Sequence, residues 1–301
     1  MKQKLPNFLI VGAAKCGTSS LHNYLNQHPD IFMPTFNKEG RNVKEPQFLI
    51  SERLKDRIHF GVWGWEEYKS LFNKVNSENA IGESSVFYLY YYNDAIKEIK
   101  NRLGKDIKII IMLRNPIDRA YSAFQHVSRG LIEKNTFEEA LILENGRLQN
   151  NKRITPMVMY KDMGMYYRMV KAYIEEFKDV HIILYEDFNL SSDKVVKDVF
   201  RFLGVDKNKV IDTDIRYNVG GKRWINTFLK NIFIKDSKLK LLFKQILSRK
   251  YREYGINLIN KLFKKNIPMK IETRQYLAKY FKKDIIKLSE IIGKDLTNWI
   301  K

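Results

Sequence analysis

FLIVGAAKCGTSSLHNYL, residues Phe8–Leu25, is the stretch on which the fold turns. Its opening run, Phe8 to Val11, has the apolar composition of a strand buried on both faces. A turn follows over Gly12-Ala13-Ala14-Lys15-Cys16-Gly17. Thr18-Ser19-Ser20 then begins a segment whose apolar residues, Leu21, Tyr24 and Leu25, fall at helical spacing. Strand, glycine loop and helix start together make an anion cradle: loop N–H groups face inward, and the helix N-terminus adds partial positive charge. The plainer reading is an ordinary strand–turn–helix with two glycines.

The spacing narrows the chemistry. Gly12 and Gly17 are four residues apart, as in the nucleotide loop GxxxxGK[ST]. The position after the second glycine is Thr18, however, and the lysine stands inside the loop at Lys15. A lysine there faces the ligand from the other wall. The loop is thus a phosphate-binding turn and a poor match to an ATPase or GTPase.

Working outward, Asp106–Leu113 (DIKIIIML) is the clearest strand, and it runs into Arg114-Asn115-Pro116. Asn115 suits an N-cap and Pro116 a first helical residue. Arg114 therefore sits where a strand ends and a helix begins, and Ser122 lies about two turns further on. Ala80-Ile81-Gly82-Glu83-Ser84-Ser85 reads as a strand running into a loop, and a further strand is expected at Val180–Leu184. Helices are expected at Trp65–Phe72, Asn93–Leu103, Thr136–Asn145, Gly164–Phe177, Ser191–Leu203 and Thr273–Ile292. Residues 31–64 read as irregular. The alternation predicts an α/β protein: a P-loop-like three-layer sandwich, with a central parallel sheet flanked by helices and a helical C-terminal region. In such sheets ligands bind beyond the carboxyl ends of the strands. The loop at Lys15 and Arg114 are both at such ends, where Arg114 offers a bidentate grip on phosphate. A surface salt bridge is the alternative role for Arg114.

Composition sets outer limits. The 301 residues are 44% hydrophobic, enough for a substantial core. Cys16 is the single cysteine, which excludes an internal disulfide and favours a reducing compartment. No run approaches the ~20 apolar residues of a membrane span, and the opening residues do not read as a secretory signal. A cytoplasmic protein is the expectation. Net charge is +20, and residues 222–301 carry 21 Lys and Arg against 6 Asp and Glu, a net +15. That field favours anionic partners, although a solvated basic surface would look the same.

Three stretches together resemble the sulfotransferases that use 3′-phosphoadenylyl sulfate (PAPS). Lys15-Cys16-Gly17-Thr18-Ser19-Ser20 looks like that family's 5′-phosphosulfate loop, lysine placement included. Leu113-Arg114-Asn115-Pro116-Ile117-Asp118-Arg119-Ala120-Tyr121-Ser122 is similar to its 3′-phosphate motif. Lys44-Glu45-Pro46-Gln47-Phe48 resembles the acidic segment of the heparan-sulfate branch. Softer matches are His28-Pro29-Asp30, Gly82-Glu83-Ser84-Ser85, Tyr185-Glu186-Asp187-Phe188 and the segment Gly293–Trp299. The likeness covers most of the chain apart from about residues 225–265. It implies a single domain over 1–301, with an α/β core at 1–221 and a basic, mostly helical extension at 222–301.

The resemblance also implies roles. Lys15 binds the phosphosulfate bridge and offsets charge on the departing phosphate. The loop Cys16, Gly17, Thr18, Ser19 and Ser20 cradles the 5′-phosphate, and Arg114 with Ser122 holds the 3′-phosphate. Glu45 matches the base that takes the acceptor's proton. Lys44, Ser84 and His126 fall where the acceptor binds, and Arg119 and His126 are expected to line the cleft. Gly221, Lys222 and Arg223, in the basic loop that begins at Gly220, are expected to close over the cofactor. There Gly-Gly-Lys-Arg replaces the relatives' Lys-Gly, so the contacting residue stays open. Animal members often carry a disulfide near this loop, which this chain cannot form. No metal is implied.

The chemistry suits those residue types. Sulfuryl transfer, by analogy with phosphoryl transfer, rests on positioning and on stabilising charge. A carboxylate beside the acceptor serves as base if burial raises its pKa. His22, His28 and His126 are rival bases, with packing or capping the expected role of the first two. The reading of the sequence is thus a PAPS-dependent sulfotransferase acting on a hydroxyl or amine of a carbohydrate, an anionic polysaccharide among the acceptors. Two others stand beside it. One is a P-loop-like small-molecule kinase. The other is a non-enzymatic basic binder of anionic lipid or nucleic acid through residues 222–301. For the enzyme, peripheral contact with an anionic membrane is compatible and no nucleic-acid partner is expected.

Overall fold

The computed structural model describes residues 4–35, 39–40, 42–129, 132–215, 217, 222–224 and 264–300. The expected opening is there: β1 (Phe8–Gly12) is wholly buried and leads through the glycine loop into α1 (Thr18–Leu25). Next comes β2 (Ile31–Phe32), then two short helices, α2 (Ser51–Leu54) and α3 (Trp65–Ser70). After β3 (Ala80–Ser84) and α4 (Tyr92–Arg102) come β4 (Lys108–Leu113) and α5 (Pro116–Arg129). Then α6 (Phe137–Ile142), α7 (Arg147–Asn150) and α8 (Tyr166–Glu176) precede β5 (Val180–Leu184). The chain continues through α9 (Tyr185–Leu190) and α10 (Ser192–Leu203). Strands β6 (Lys222–Trp224) and β7 (Lys264–Asn266) and helix α11 (Ile271–Ile292) complete the described elements.

Five strands form one parallel sheet in the order β2-β3-β1-β4-β5. Helices flank it, as the alternation of apolar runs predicts. Strand order reverses at β1: the chain runs to β2 and β3 on one side and returns to β4 on the other. That is the switch point at which a crevice opens beyond the strand ends. The Lys15 loop and Arg114 leave the sheet there, from neighbouring strands.

Residues 31–64 are more regular than their sequence suggests. Ile31–Phe32 adds an edge strand to β3, and Phe48–Ile50 makes a 3₁₀ turn running into α2. Two paired residues carry too little periodicity to be read as a strand; the pairing with Ala80 and Ile81 makes it one. Toward the C-terminus, Lys222–Trp224 is not loop but strand, paired antiparallel with Lys264–Asn266. The 222–301 extension therefore includes two strands as well as α11. Gly220, Gly221 and residues 225–263 lie outside the described residues.

Gly12 shows why the first turn needs its glycine. Its φ is +152°, and a Cβ there would stand 2.7 Å from the Leu89 Cβ and 3.0 Å from the Val86 carbonyl oxygen. Leu89 is held in place, its N–H donating to the Val11 carbonyl at 2.7 Å. Gly12→Ala is expected to destabilise the fold by about 1–3 kcal/mol. Urea unfolding should show a lower midpoint at unchanged slope.

Candidate active site

Four neighbouring strands deliver residues to one end of the sheet. From β1 comes the turn at Lys15, whose φ of 71° is left-handed. Gly17, also left-handed at φ +90°, opens α1 without a side-chain cap hydrogen bond, the kind of helix start at which anions bind. A Cβ on Gly17 would meet the Tyr185 ring at 3.1 Å.

From β4 comes Arg114, and it lies beside the lysine loop. Its Nη1 donates to the Lys15 carbonyl at 3.4 Å, and its guanidinium lies 4.6 Å from the centre of the Tyr185 ring. Tyr185 therefore backs both grips, Arg114 through a cation–π contact and Gly17 through its ring edge. Asn115 caps α5, accepting the Ile117 N–H on Oδ1 at 3.0 Å, and its own N–H donates to Glu186 Oε1 at 2.9 Å. The arginine is thus fixed between a strand end and a pinned turn. The two cations that the sequence put at strand ends thus lie side by side.

The third contribution arrives in the Lys44–Phe48 segment. Glu45 is partly buried. Lys44 Nζ donates to its Oε1 at 2.8 Å, and Gln47 Nε2 donates to its Oε2 at 3.1 Å. Lys44 is thus engaged by the carboxylate. The charge of Glu45 is felt at both Lys15 and His126, which puts the carboxylate at the same crevice.

The electrostatics of the crevice are dominated by cations. Burial, then Arg129 and Arg114, push the Lys15 ammonium down to about 8, with Glu45 opposing them. Desolvation, then Lys15 and Arg129, hold His126 down at about 4, so its imidazole is neutral near pH 7. Burial also lowers Arg129, whose Nε is enclosed and has no hydrogen-bond partner among the described residues. Glu83, at the end of β3, is 0% exposed. Burial pushes its carboxyl up to about 7 against the hydrogen-bonding influence of Tyr68, Tyr88 and Ser85, and Glu45 raises it further.

Other expected site residues are placed differently. Ser84 is 0% exposed with its Oγ enclosed, so it offers an acceptor no surface; at the end of a sandwiched strand the side chain turns into the core. Arg119 does not line the cleft. It is 0% exposed, and its guanidinium donates to the Tyr160 carbonyl and lies 3.7 Å from the Met163 thioether Sδ. The Cys16 thiol is buried and pushed up to about 11 by desolvation, so only the backbone of that residue can serve a ligand. The Ser20 hydroxyl is taken by the Tyr217 N–H at 3.1 Å. Thr18 is buried, and Ser19 and Ser122 are partly exposed. Lys222 and Arg223 belong to β6, whose backbone runs alongside α5, the helix of Ser122. Gly221 is outside the described residues.

The other two histidines weighed as bases, His22 and His28, are both buried. His28 shares a hydrogen bond with the Asp206 carbonyl at 2.9 Å and accepts the Asp30 N–H at 3.1 Å. His22 is buried in α1 and held neutral, down to about 3, by desolvation and then Lys44. Arg129, Gln47 and Tyr185 received no role from sequence reasoning. A signal for Arg129 existed: Ser122, His126 and Arg129 stand at i, i+4 and i+7, one stripe of α5.

Residues 5–219 match the family model described as the sulfotransferase domain. The chain therefore belongs to the sulfotransferase domain family. Mouse bifunctional heparan sulfate N-deacetylase/N-sulfotransferase 4 is 23% identical over 308 residues, covering 99% of this chain and 31% of that protein. This chain thus spans about a third of the length of that relative. The membrane-associated sulfotransferase kil1 of Dictyostelium discoideum is 30% identical over 131 residues, 44% of this chain and 25% of that protein. Among solved structures, a sulfotransferase from Alicyclobacillus acidocaldarius superposes with a TM-score of 0.73 at 30% identity. The match covers 99% of this chain and 100% of that one. Membership favours the sulfotransferase over the kinase reading of the glycine loop. Among the described residues, no helix is long and apolar enough to cross a membrane.

The crowding of cations can be measured directly. Lys15 followed by NMR in the ligand-free protein should titrate near 8, and Arg129→Gln should move that midpoint upward. A midpoint at the ordinary lysine value in the unaltered protein would mean that the three cations do not share a site.

Proposed function

We propose that this protein transfers the sulfuryl group of PAPS to a hydroxyl or amine of a carbohydrate, an anionic polysaccharide being the favoured acceptor class. The observation that carries the proposal is the hydrogen bond between Arg114 and the Lys15 backbone. It brings two cation grips, each at a strand end, within the span of one doubly phosphorylated nucleotide. The uncapped start of α1 adds N–H groups to the same place. The residues fit the donor's charge: an anion would relieve the mutual repulsion of Lys15, Arg114 and Arg129.

PAPS supplies an activated sulfuryl group and a stable phosphate leaving group. The protein's part is to hold and balance charge. Lys15 and the N–H groups of Gly17 and Thr18 face the 5′ end, where negative charge grows as the sulfuryl group departs. Arg114, stiffened by Tyr185, anchors the 3′ end with Ser122. Glu45 takes the acceptor's proton on a carboxylate oxygen. Its two oxygens already receive donors from Lys44 and Gln47, which fixes the direction of the remaining lone pairs. His126 is the second group able to accept a proton at this crevice, since its depressed pKa keeps it neutral near pH 7. The relatives named for heparan sulfate and the cationic crevice support an acidic acceptor. The single-domain organisation over 1–301 belongs to this same proposal.

Transfer of labelled sulfate from PAPS to desulfated heparan-type oligosaccharides, neutral oligosaccharides and glycolipids tests the reading. Failure to bind PAP, the 3′,5′-bisphosphate product, in calorimetry would overturn it. Lys15→Ala is expected to lower kcat by roughly 10²–10³-fold, the scale for losing one donor to developing charge. Arg114→Ala should weaken PAP binding by about 10- to 100-fold, the scale of a charged hydrogen bond. Glu45→Gln should bind PAP normally and lose turnover.

Affinity should also depend on pH. Lys15 is charged below about 8 and neutral above it, so PAP binding should weaken as pH rises through 8. Lys15→Arg, which stays charged, should flatten that dependence.

A further inference from the structure

Gln47 combines three features. It is 0% exposed, its backbone is left-handed at φ 56°, and its side chain holds the carboxylate assigned above as the base. Lys15 and Gln47 are the two non-glycine residues with positive φ among the described residues, and both are at the crevice. A left-handed glutamine is disfavoured by about 1–2 kcal/mol and persists where the surroundings enforce it.

The enforcement is visible. The Gln47 N–H donates to Ser85 Oγ at 2.9 Å, and the Ser85 N–H donates to the Ile10 carbonyl of β1 at 3.0 Å. A chain of hydrogen bonds thus runs from the central strand through Ser85 and Gln47 to Glu45 Oε2. The next residues are tied down as well: the Leu49 N–H donates to the Tyr88 hydroxyl at 3.2 Å, and the Val62 N–H to the Pro46 carbonyl at 2.8 Å. The opposite carboxylate oxygen is held by Lys44, which belongs to the same loop. Among the described residues, the Gln47 side is the one that connects the carboxylate to the sheet.

We infer that Gln47 is a positioning residue for this reaction. Anchored to the sheet by Ser85, it orients the Glu45 carboxylate toward the acceptor without touching donor or acceptor. The inference rests on the reading of Glu45 as the base. Its mechanism is geometric. With Oε2 tied through Gln47 to the sheet and Oε1 engaged by Lys44, the carboxylate presents its remaining lone pairs in a fixed direction, and a displacement of about 1 Å at a reacting group can reduce a rate by about 100-fold.

The test uses Gln47→Asn in the full chain. Asparagine tolerates the left-handed backbone, and its amide is one methylene too short to reach Glu45. Ser85→Ala, which leaves residue 47 intact and removes its anchor, is the second variant. With labelled PAPS and a desulfated heparan-type oligosaccharide, Gln47→Asn should lower kcat by roughly 10- to 100-fold. The KM for PAPS and the affinity for PAP should stay within about twofold, as expected for a group that contacts neither phosphate. Ser85→Ala should lower kcat in the same direction. In a Glu45→Gln background, Gln47→Asn should cause no further loss, because the group it orients is gone.

Unchanged kcat in both Gln47→Asn and Ser85→Ala would overturn the inference. So would an equal loss with and without Glu45, which would mark a general packing role. Glu45→Gln alone reports on the underlying reading: wild-type turnover there removes Glu45 as base, and the role of Gln47 with it.

Discussion

Lys15, Arg114 and Arg129 repel one another, and the fold holds them together. Burial and these like charges bring the lysine from 10.5 to about 8, a charged state disfavoured on the order of 3 kcal/mol. The covalent path makes the crowding unavoidable. Lys15 lies in the turn after β1, Arg114 is the residue after β4, and these strands are hydrogen-bonded neighbours. Arg129 closes the helix that starts two residues beyond Arg114. A multiply charged anion is the ligand that such an arrangement favours, since it turns three repulsions into attractions.

The groups around these cations are mostly there to hold something still. Tyr185 lies against Arg114 and Gly17, Glu186 accepts the Asn115 N–H, and Ser85 accepts that of Gln47. Each comes from the carboxyl end of a strand or just beyond it. The sheet thus serves as the common reference for Lys15, Arg114 and the Glu45 carboxylate alike. Glu45 itself comes from a long connection rather than a strand end, and this explains why it needs donors on both oxygens.

Opposite kinds of burial distinguish the two acids of this region. Glu83 is sealed beneath the crevice with two tyrosines and a serine, and its carboxyl is displaced toward neutrality. Glu45 keeps partial access and two donors. Proton acceptance from an incoming hydroxyl or amine requires a carboxylate with an open side, so the partly exposed one suits that role and the sealed one suits packing near it.

Much of this was legible in the chain. Strand β1, the turn glycines, β4 and the Asn115-Pro116 helix start are local features, set by apolar runs, left-handed turn positions and capping chemistry. They fix the α/β class and place Lys15 and Arg114 at strand ends. The edge strand at Ile31–Phe32 was not legible, because two residues become a strand only through their neighbour. Nor was the enclosure of Ser84 and Arg119: a polar side chain carries no mark of which way its strand or helix will turn. The pairing of Gln47 with Ser85, which anchors the Glu45 contact, spans 38 residues of sequence and joins the Lys44–Phe48 segment to the end of β3. Sequence alone determined the pieces and their chemistry, since those depend on near neighbours. Which charges would share one crevice was decided by the order of strands in the sheet, a property of long-range pairing that no local run of residues encodes.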